Sequence, residues 1–358
     1  MMQVEENAFQ QARNGEELPI AALETYLKNQ FPHLEGNLQI KQYMSGYSNL
    51  TYKLNFGQEE WVLRRPPFGT KAQSAHDMGR EFKVLSSIRP QFPLCPEAIH
   101  FCADESVIGS QFYLMSSIEG FIFRKKIPDH VSISPALMGD FCKELTLGQI
   151  KLHQIDYKSL GLEKFGKPYQ YLDRQLAGWS KRYLKAKTPD AASMESVINW
   201  LQNNKPKSHE RSSIVHNDYK FDNVIWQSVE AAQLVGILDW EMATIGDPLL
   251  DLGYSLAYWI EANDPEYLQN ISMIPSQEPG SWTRLEIVEF YQKEVDFPWD
   301  NFNFYYIMGL FRLAGIVQQI YYRYYHGQTK DQRFSTFANM SHVLEKACIQ
   351  AIERPEFV

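Results

Sequence analysis

The densest cluster of polar residues is the run from His216 to Asn223, which follows the apolar pair Ile214-Val215. In this run an Asp lies two residues after a His and five residues before an Asn. An Asp can orient an attacking hydroxyl and accept its proton, while an Asn in the same loop reaches a magnesium ion. We therefore predict that Asp218 is a catalytic base and that Asn223 is a metal ligand. The alternative is a polar turn that caps a helix.

A second candidate metal ligand lies further along the chain. Asn223 begins one short apolar run and Asp239 follows another, with the residues 227–233 between the runs as a hairpin turn. In an antiparallel hairpin the start of the first strand lies beside the end of the second. We therefore expect Asn223 and Asp239 to converge on one Mg²⁺ ion, which prefers hard oxygen ligands and is completed by phosphate and water.

The elements that must position these residues begin with a β-rich first third. Leu50, Tyr52, Leu54 and Phe56 alternate with polar residues, which is the period of a half-buried strand. The apolar residues of the segment 23–31 instead repeat at the spacing of a helix face. The remaining predictions for this third are strands at 61–65, 97–102 and 111–116 and a helix at 74–88.

Helices dominate from about Ser134 onward, with three short apolar runs as exceptions, at 213–215, 224–226 and 234–238. The aromatic residues near the C-terminus fit helix-packing core. The sequence therefore predicts an α+β fold of two lobes, a small antiparallel β-rich lobe at 1–117 with an N-terminal helical extension and a larger, mainly helical lobe at 118–358.

Composition narrows the class of protein. The chain has 358 residues, of which 44% are hydrophobic and 22% are charged, as in ordinary globular proteins. Its net charge of -8 argues against a protein whose main role is to coat nucleic acid. The first 30 residues lack the apolar core of a signal peptide, and no apolar run reaches the ~20 residues that cross a bilayer. We expect a cytoplasmic protein without membrane partners, with its four cysteines as buried thiols.

Several motifs together resemble one enzyme family. They are His216 to Asn223, Ile237-Leu238-Asp239-Trp240-Glu241, Gly246-Asp247-Pro248 and Asp251-Leu252. With them the chain resembles the aminoglycoside phosphotransferase family of kinase-like enzymes, in particular the branch found alone in bacteria or fused ahead of acyl-CoA dehydrogenases in animals. The resemblance implies a protein-kinase-like fold that uses ATP and Mg²⁺.

The same resemblance implies roles for individual residues. Asp218 would be the catalytic base, and Asn223 with Asp239 would hold the metal. His216 would brace the loop, and Asp251 would bond to the loop backbone. Lys220 would contact phosphate as the corresponding lysine does in protein kinases, and the alternative for Lys220 is a solvated side chain.

The predicted nucleotide site lies in the β-rich lobe. Gly46, Ser48 and Asn49 lie between two strand-like segments, where kinase-like folds cover the ATP phosphates with a tight turn; an ordinary hairpin is the alternative. Met115 and Ser117, at the join between the lobes, complete the residues that we assign to the nucleotide.

An ion pair is predicted beside that turn. Arg64 occupies the position where the family usually has a lysine that pairs with the α- and β-phosphates, and Arg and Lys are not interchangeable. Glu81 shares a helix face with Val84, Leu85 and Ile88, and a carboxylate on an apolar face needs a partner. We expect Arg64 to pair with Glu81; the alternative is a Glu81 that faces water.

The acceptor is the least determined part of the site. A helical segment with Tyr171, Arg174, Gln175 and Trp179, together with Arg312 and Arg323, could line an acceptor pocket, although each of these residues alone fits a structural role better. Aromatic walls favour an apolar chain, and arginines favour phosphate or carboxylate. Three acidic residues weigh instead for a polycation. The other aromatic candidates are Tyr305, Tyr306, Phe311 and Tyr322. The three acidic residues are Glu261, Asp264 and Glu266.

We predict an enzyme that transfers the γ-phosphate of ATP to a hydroxyl of a small molecule, with a hydroxyacyl compound favoured over an aminoglycoside. The alternatives are an aminoglycoside O-phosphotransferase and a non-catalytic nucleotide-binding module. A metal-dependent hydrolase built on His216 would need a second ligand cluster, which the sequence does not offer.

Overall fold

A computed structural model describes residues 9–43, 49–67, 77–128, 130–206, 211–295 and 302–354. The chain divides into two compact units. The first comprises Met1–Phe121, Ile225–Gln227 and Val235–Ala243, and the second comprises Ile122–Val224, Ser228–Leu234 and Thr244–Val358. The first unit is rich in strands and the second in helices, which confirms the predicted α+β class.

The first unit is built on a six-stranded sheet with the strand order β1-β2-β3-β4-β6-β5, in which every pair is antiparallel. Its elements are β1 Phe9–Gln10, α1 Ile20–Gln30, β2 Gln39–Tyr43, β3 Leu50–Phe56, β4 Glu59–Arg65, α2 Met78–Ile88, β5 Ala98–Cys102 and β6 Phe112–Ser116.

Two neighbouring strands show how the sequence pattern sets burial in this sheet. In β3 alternate residues are buried from Leu50 to Phe56, as the period of two predicts. β4 lies between β3 and β6, and its residues from Trp61 to Arg65 are all buried. The strand therefore carries two consecutive arginines into the interior, Arg64 and Arg65.

Helix α2 begins later than the sequence suggested. The predicted start at Ser74 falls outside the described residues, and the helix begins at Met78 because the Asp77 side chain caps it by accepting from the backbone N–H of Arg80 at 2.9 Å. Its buried face carries Val84, Leu85, Ile88 and Glu81.

The second unit is mainly helical, and two short two-stranded sheets accompany it, β10 with β7 and β8 with β9. Most of the strand residues of β8 and β9 belong to the first unit, whereas the turn between them belongs to the second. The elements are α3 Pro135–His153, α4 Tyr171–Lys185, α5 Glu195–Asn203, β7 Ser213–Val215, β8 Val224–Trp226, β9 Leu234–Ile237, β10 Thr244–Gly246, α6 Pro248–Leu256, α7 Glu266–Gln269, α8 Arg284–Glu294, α9 Asn303–Tyr325 and α10 Phe337–Glu353.

Two glycines let α6 and α9 touch backbone to backbone. A Cβ on Gly253 would lie 2.3 Å from the carbonyl oxygen of Tyr305, and a Cβ on Gly309 would lie 2.2 Å from the carbonyl oxygen of Gly253. Real Cβ atoms do not approach that closely, so only glycine fits at both positions. The contact fixes α6, which carries Asp251, against α9, which carries Arg312.

Most of the predicted elements are present within a residue or two, and the pairing of β8 with β9 confirms the predicted hairpin. Strands β1, β2 and β10 were not predicted. The four cysteines are buried and free, as expected. Among the described residues no helix is both long and apolar enough to span a bilayer.

Candidate active site

The loop after β7 brings three of the predicted residues together. The Asn223 side-chain nitrogen donates to the backbone carbonyl of Asp218 and to its carboxylate oxygen Oδ2, each at 2.8 Å. The Lys220 ammonium lies 3.2 Å from the same Oδ2 and 2.9 Å from Asp222. Since the amide nitrogen of Asn223 is bonded to Asp218, its amide oxygen is the atom that suits a metal ion.

A buried carboxylate holds the backbone of this loop. Asp251 accepts from the backbone N–H of His216 at 3.0 Å and from that of Asn217 at 2.6 Å. On α3, His153 donates from Nε2 to Asp251 at 2.9 Å, and Gln149 donates to it at 3.3 Å. Burial alone would raise the pKa of Asp251, but His153 and the loop N–H of His216 hold it below its ordinary value.

Two histidines are fixed by these contacts. The ionised Asp251 can only accept, so Nε2 of His153 carries a proton, and Nδ1 lies 2.7 Å from the Tyr291 hydroxyl. His216 is fully buried, and its Nδ1 accepts from the backbone N–H of Asp218 at 3.2 Å. This contact joins His216 to Asp218, and the bracing role of His216 stays a prediction.

Lys220 remains charged despite its surroundings. Burial would lower its pKa, but the neighbouring carboxylates of Asp218 and Asp222 raise it above the ordinary value. Its ammonium also lies 5.6 Å from the centre of the Tyr258 ring. A permanent positive charge is therefore present beside the carboxylate of Asp218.

Asn217 has an unusual backbone and three fixed groups. Its φ is +64°, in the left-handed region that non-glycine residues seldom adopt. Its N–H donates to Asp251, its carbonyl accepts from Arg312 at 2.6 Å, and its side-chain oxygen accepts from the Tyr171 hydroxyl at 3.3 Å. These contacts hold the residue that directly precedes Asp218.

In the first unit, Arg64 lies among three carboxylates. Its guanidinium is 2.9 Å from Glu81, 3.0 Å from Asp239 and 3.8 Å from Glu241. The ion pair between Arg64 and Glu81 that the sequence led us to expect is therefore present. Its role in nucleotide binding stays a prediction.

Burial and charge act in opposite directions within this cluster. Burial raises the pKa of Glu81, and Arg64 works against that shift. Burial would lower the pKa of Arg64, but Glu81, Tyr113 and Asp239 together raise it well above its ordinary value. Carboxylate oxygens such as those of Asp239 are ligands that a divalent cation prefers.

The other predicted nucleotide residues differ in what can be said of them. Gly46 and Ser48 lie outside the described residues. Asn49 is buried and donates from its side chain to Glu241 at 2.7 Å. Met115 is buried in β6 opposite Val62, and Ser117 follows that strand half-buried.

The two predicted metal ligands belong to different compact units, Asn223 to the second and Asp239 to the first. Asp239 has a left-handed backbone, with φ +65°, directly after β9. The convergence of Asn223 and Asp239 on one ion stays a prediction.

Most of the predicted acceptor residues lie in the helix core. Arg312 is only 3% exposed and bonds to the catalytic loop, while Arg174 is exposed and bonds to backbone carbonyls of Lys167 and Tyr169. Tyr322 on α9 and Gln175 on α4 are half-buried. Arg323 on α9 is exposed. The other aromatic candidates are buried, as expected of residues that pack in the helix core: Tyr171, Trp179, Tyr305, Tyr306 and Phe311.

Two of the acidic candidates are held by an internal cation. Arg284 donates to both oxygens of Asp264, at 2.7 and 2.9 Å, and lies 3.4 Å from Glu261. Arg284 and Asp264 are both buried. Glu266 is exposed in the first turn of α7. The charges of Asp264 and Glu261 are thus compensated within the second unit.

Sequence reasoning missed His153, Gln149 and Glu241, which all contact predicted site residues. His153 ends α3 on a buried face, and a lone histidine there looks like ordinary core. Glu241 offered a usable signal, since it follows Asp239 by two residues in the same loop.

Comparison with known proteins gives a consistent result. A family model described as "Phosphotransferase enzyme family" matches residues 39–285. Acyl-CoA dehydrogenase family member 11 of Pongo abelii is 34% identical over 350 residues, which cover 93% of this chain and 43% of that protein. The chain therefore spans less than half the length of this curated relative.

Solved structures show the same fold. A proposed aminoglycoside phosphotransferase from Ralstonia eutropha superimposes with a TM-score of 0.77 at 27% identity, covering 93% of this chain and 99% of that one. An aminoglycoside phosphotransferase in a ternary complex with AMP-PNP and hygromycin B has a TM-score of 0.57 at 10% identity, covering 92% and 98% of the two chains.

The fold is thus that of the kinase-like phosphotransferases, as the sequence predicted. With 39–285 matched by its model, the chain belongs to the phosphotransferase enzyme family that includes the aminoglycoside phosphotransferases.

Proposed function

We propose that this protein transfers the γ-phosphate of ATP to a hydroxyl group of a small molecule. The observation that carries the proposal is the hydrogen-bonded group of Asp218, Lys220 and Asn223, which joins a carboxylate, a cation and an amide within one loop. That combination suits phosphoryl transfer, in which positioning and charge stabilisation supply most of the rate.

Each residue has a distinct part in this reaction. Asp218 accepts a hydrogen bond from the acceptor hydroxyl, aligns its oxygen with the γ-phosphorus and takes the proton as the new bond forms. Lys220 contacts the phosphoryl group as its negative charge moves. Asn223 and Asp239 would hold Mg²⁺, which neutralises charge on the β- and γ-phosphate oxygens. Arg64, fixed by Glu81, would contact the α- and β-phosphates together with Asn49 and the segment that carries Gly46 and Ser48.

The acceptor that we propose is a partly apolar, anionic hydroxy compound such as a hydroxyacyl compound. A polycationic antibiotic needs several carboxylates for its ammonium groups, and Arg284 already compensates Asp264 and Glu261. The relation to acyl-CoA dehydrogenase family member 11 supports the same class of acceptor.

The decisive experiment measures ADP release from Mg-ATP with a panel of acceptors, namely hydroxy acids, their coenzyme A thioesters, amino alcohols and kanamycin-class aminoglycosides. We expect turnover on a hydroxyacyl compound. Turnover at ~1–100 s⁻¹ on an aminoglycoside alone would favour the second candidate, an aminoglycoside O-phosphotransferase. ATP binding without ADP release on every acceptor would favour a nucleotide-binding module.

The base is tested in the same assay. Asp218→Asn should lower the rate by ~10²–10⁴ while ATP affinity changes little, because a general base contributes about that much. Asp222→Asn is the matched control, since it removes the other carboxylate of Lys220 in the same loop, and we expect only a several-fold effect. Wild-type turnover by Asp218→Asn would refute the assignment.

A further inference from the structure

The peptide group that joins Asn217 to Asp218 is held at both of its edges. Its N–H, from Asp218, donates to Nδ1 of His216 at 3.2 Å, and its carbonyl, from Asn217, accepts from the Arg312 guanidinium at 2.6 Å. A peptide group is planar, so two anchored edges fix the orientation of the plane. The Cα of Asp218 belongs to that plane, so the anchored plane fixes the point from which the side chain extends, and the hydrogen bond from Asn223 to Oδ2 holds the carboxylate itself.

Arg312 has little freedom to take another position. It is 3% exposed, and its guanidinium lies 4.4 Å from the centre of the Tyr254 ring and 5.4 Å from that of Trp179. A Cβ on Gly315, one turn along α9, would already be 3.0 Å from Trp179. The arginine is therefore confined between two rings with its donor directed at the loop.

A charged donor at this carbonyl has a physical purpose. Asn217 is held at φ +64°, in the left-handed region that asparagine adopts more readily than most residues but that still depends on the surrounding contacts. Asp251 fixes the N–H of Asn217, and Arg312 fixes its carbonyl. Hydrogen bonds with an ionised partner are about twice as strong as neutral ones. Arg312 therefore holds the carbonyl of Asn217 more strongly than a neutral donor would.

We propose that Arg312 is a positioning residue that sets the peptide plane ahead of Asp218 and thereby the aim of the catalytic carboxylate. The inference rests on the proposed function for its effect on rate. Burial argues against the direct role in acceptor binding that the sequence suggested for this arginine, because its guanidinium contacts the loop backbone and the two rings.

The test compares Arg312→Met, Arg312→Lys and Arg182→Met. Methionine keeps an apolar stem between the rings but has no donor, whereas lysine keeps a charged donor. Arg182 is the matched control, since its guanidinium lies 4.6 Å from the centre of the same Trp179 ring but is exposed. We expect Arg312→Met to lower kcat by about 10–100-fold, from the strength of a charged hydrogen bond, with KM for the acceptor and Kd for ATP within a few-fold of wild type. Arg312→Lys should recover part of kcat, and Arg182→Met should leave it unchanged.

A second measurement does not depend on turnover. Hydrogen exchange of the peptide that covers 214–219 should accelerate in Arg312→Met and not in Arg182→Met, at temperatures where all variants are folded by circular dichroism. Should Arg312→Met fail to fold, the comparison of Arg312→Lys with wild type decides, with slower turnover and faster exchange expected.

The outcomes separate the two proposals. Accelerated exchange in a protein that phosphorylates no acceptor would support the positioning role and count against the proposed function. Unchanged exchange together with unchanged kcat would overturn the positioning role while the enzyme stands. A raised KM for the acceptor at unchanged kcat would overturn the positioning role in favour of acceptor binding. An equal loss of kcat in Arg312→Met and Arg312→Lys would overturn it in favour of a role in packing alone.

Discussion

The surroundings of Asp251 and those of Arg64 are opposite solutions to the burial of charge. Asp251 is one carboxylate surrounded by donors, from His153, Gln149 and the backbone of the catalytic loop. Arg64 is one guanidinium beside three carboxylates, of which Glu81 is as deeply buried as Asp251.

The difference indicates what each region is prepared for. The Asp251 region is satisfied by the protein itself, so the loop that carries Asp218 has its geometry before any ligand arrives. In the Arg64 cluster the carboxylates of Glu81, Asp239 and Glu241 lie beside one guanidinium, and under the proposed function Asp239 would also hold a divalent cation. The proposed site of the chemical step is therefore held by contacts within the protein, and the proposed nucleotide site depends on charge.

The largest effect is expected when the carboxylate of Asp251 is removed. Asp251→Asn removes a buried charge and an acceptor from four donors, and loss of one partner in such a network costs about 3–5 kcal/mol. The pKa of Asp251 is lowered in the folded state. Its stabilisation is therefore complete above the ordinary value of 3.8 and is lost as the pH falls through the lower folded value.

Urea unfolding of wild type and Asp251→Asn between pH 7 and pH 3 measures this contribution. We expect a constant difference at pH 5–7 that shrinks below about pH 4. A difference that stays the same down to pH 3 would mean that the Asp251 charge does not stabilise the fold.

A smaller effect is expected at the charge cluster, and it appears in ligand affinity. Arg64→Ala and Glu81→Ala should each weaken ATP binding by about 10–100-fold, since each removes one charged hydrogen-bonding contact from the nucleotide side. Arg65→Met is the control, because Arg65 is the next residue of the same strand and donates to the backbone carbonyls of Pro66 and Ile108. Calorimetry of ATP binding is the measurement. Wild-type affinity and rate in both variants of the pair would remove Arg64 and Glu81 from the site.

The smallest effect is expected at Asp247, a second carboxylate at the start of the helix that carries Asp251. Asp247 caps α6 four residues before Asp251, and burial raises its pKa to about 6 although the backbone N–H groups of Leu249 and Leu250 lower it. A raised folded pKa means that ionised Asp247 destabilises the fold above pH 6 and that the penalty disappears as the pH falls toward 4. Asn caps a helix as well as Asp does, so Asp247→Asn should be more stable by ~1–2 kcal/mol at pH 7. Thermal unfolding at pH 7 and pH 4 should show this gain only at pH 7.

Elements with a clean pattern could be predicted from the sequence, and elements stabilised by distant side chains could not. β3 was predicted because each of its buried positions is apolar. β2 was not, since its buried residue is Gln42, which bonds to the backbone of Arg13 and to the carboxylate of Glu16. β10 has three residues, and its pairing with β7 alone defines it as a strand.

The same distinction holds for the site. The pair of Arg64 and Glu81 followed from a carboxylate on an apolar helix face, which is a local signal. His153 lies 98 residues from Asp251, and Arg312 lies 95 residues from Asn217, so nothing in their own neighbourhoods announces these contacts. Arg312 was assigned to an acceptor pocket because an arginine among aromatic residues looks the same in sequence whether it faces a ligand or a loop.

The discontinuous first unit has a consequence for synthesis of the chain. Its last segment, Val235–Ala243, supplies the N–H of Ile237 to the carbonyl of Leu94 and the ring of Trp240 to Phe92. The ribosome delivers these partners more than a hundred residues after the sheet has been made. Until the segment that carries Asp239 and Glu241 is synthesised, apolar surface of the nascent sheet therefore stays uncovered and accessible to chaperones. A fragment that ends at Phe121 lacks the same partners, and we expect it to be far less soluble than the whole chain.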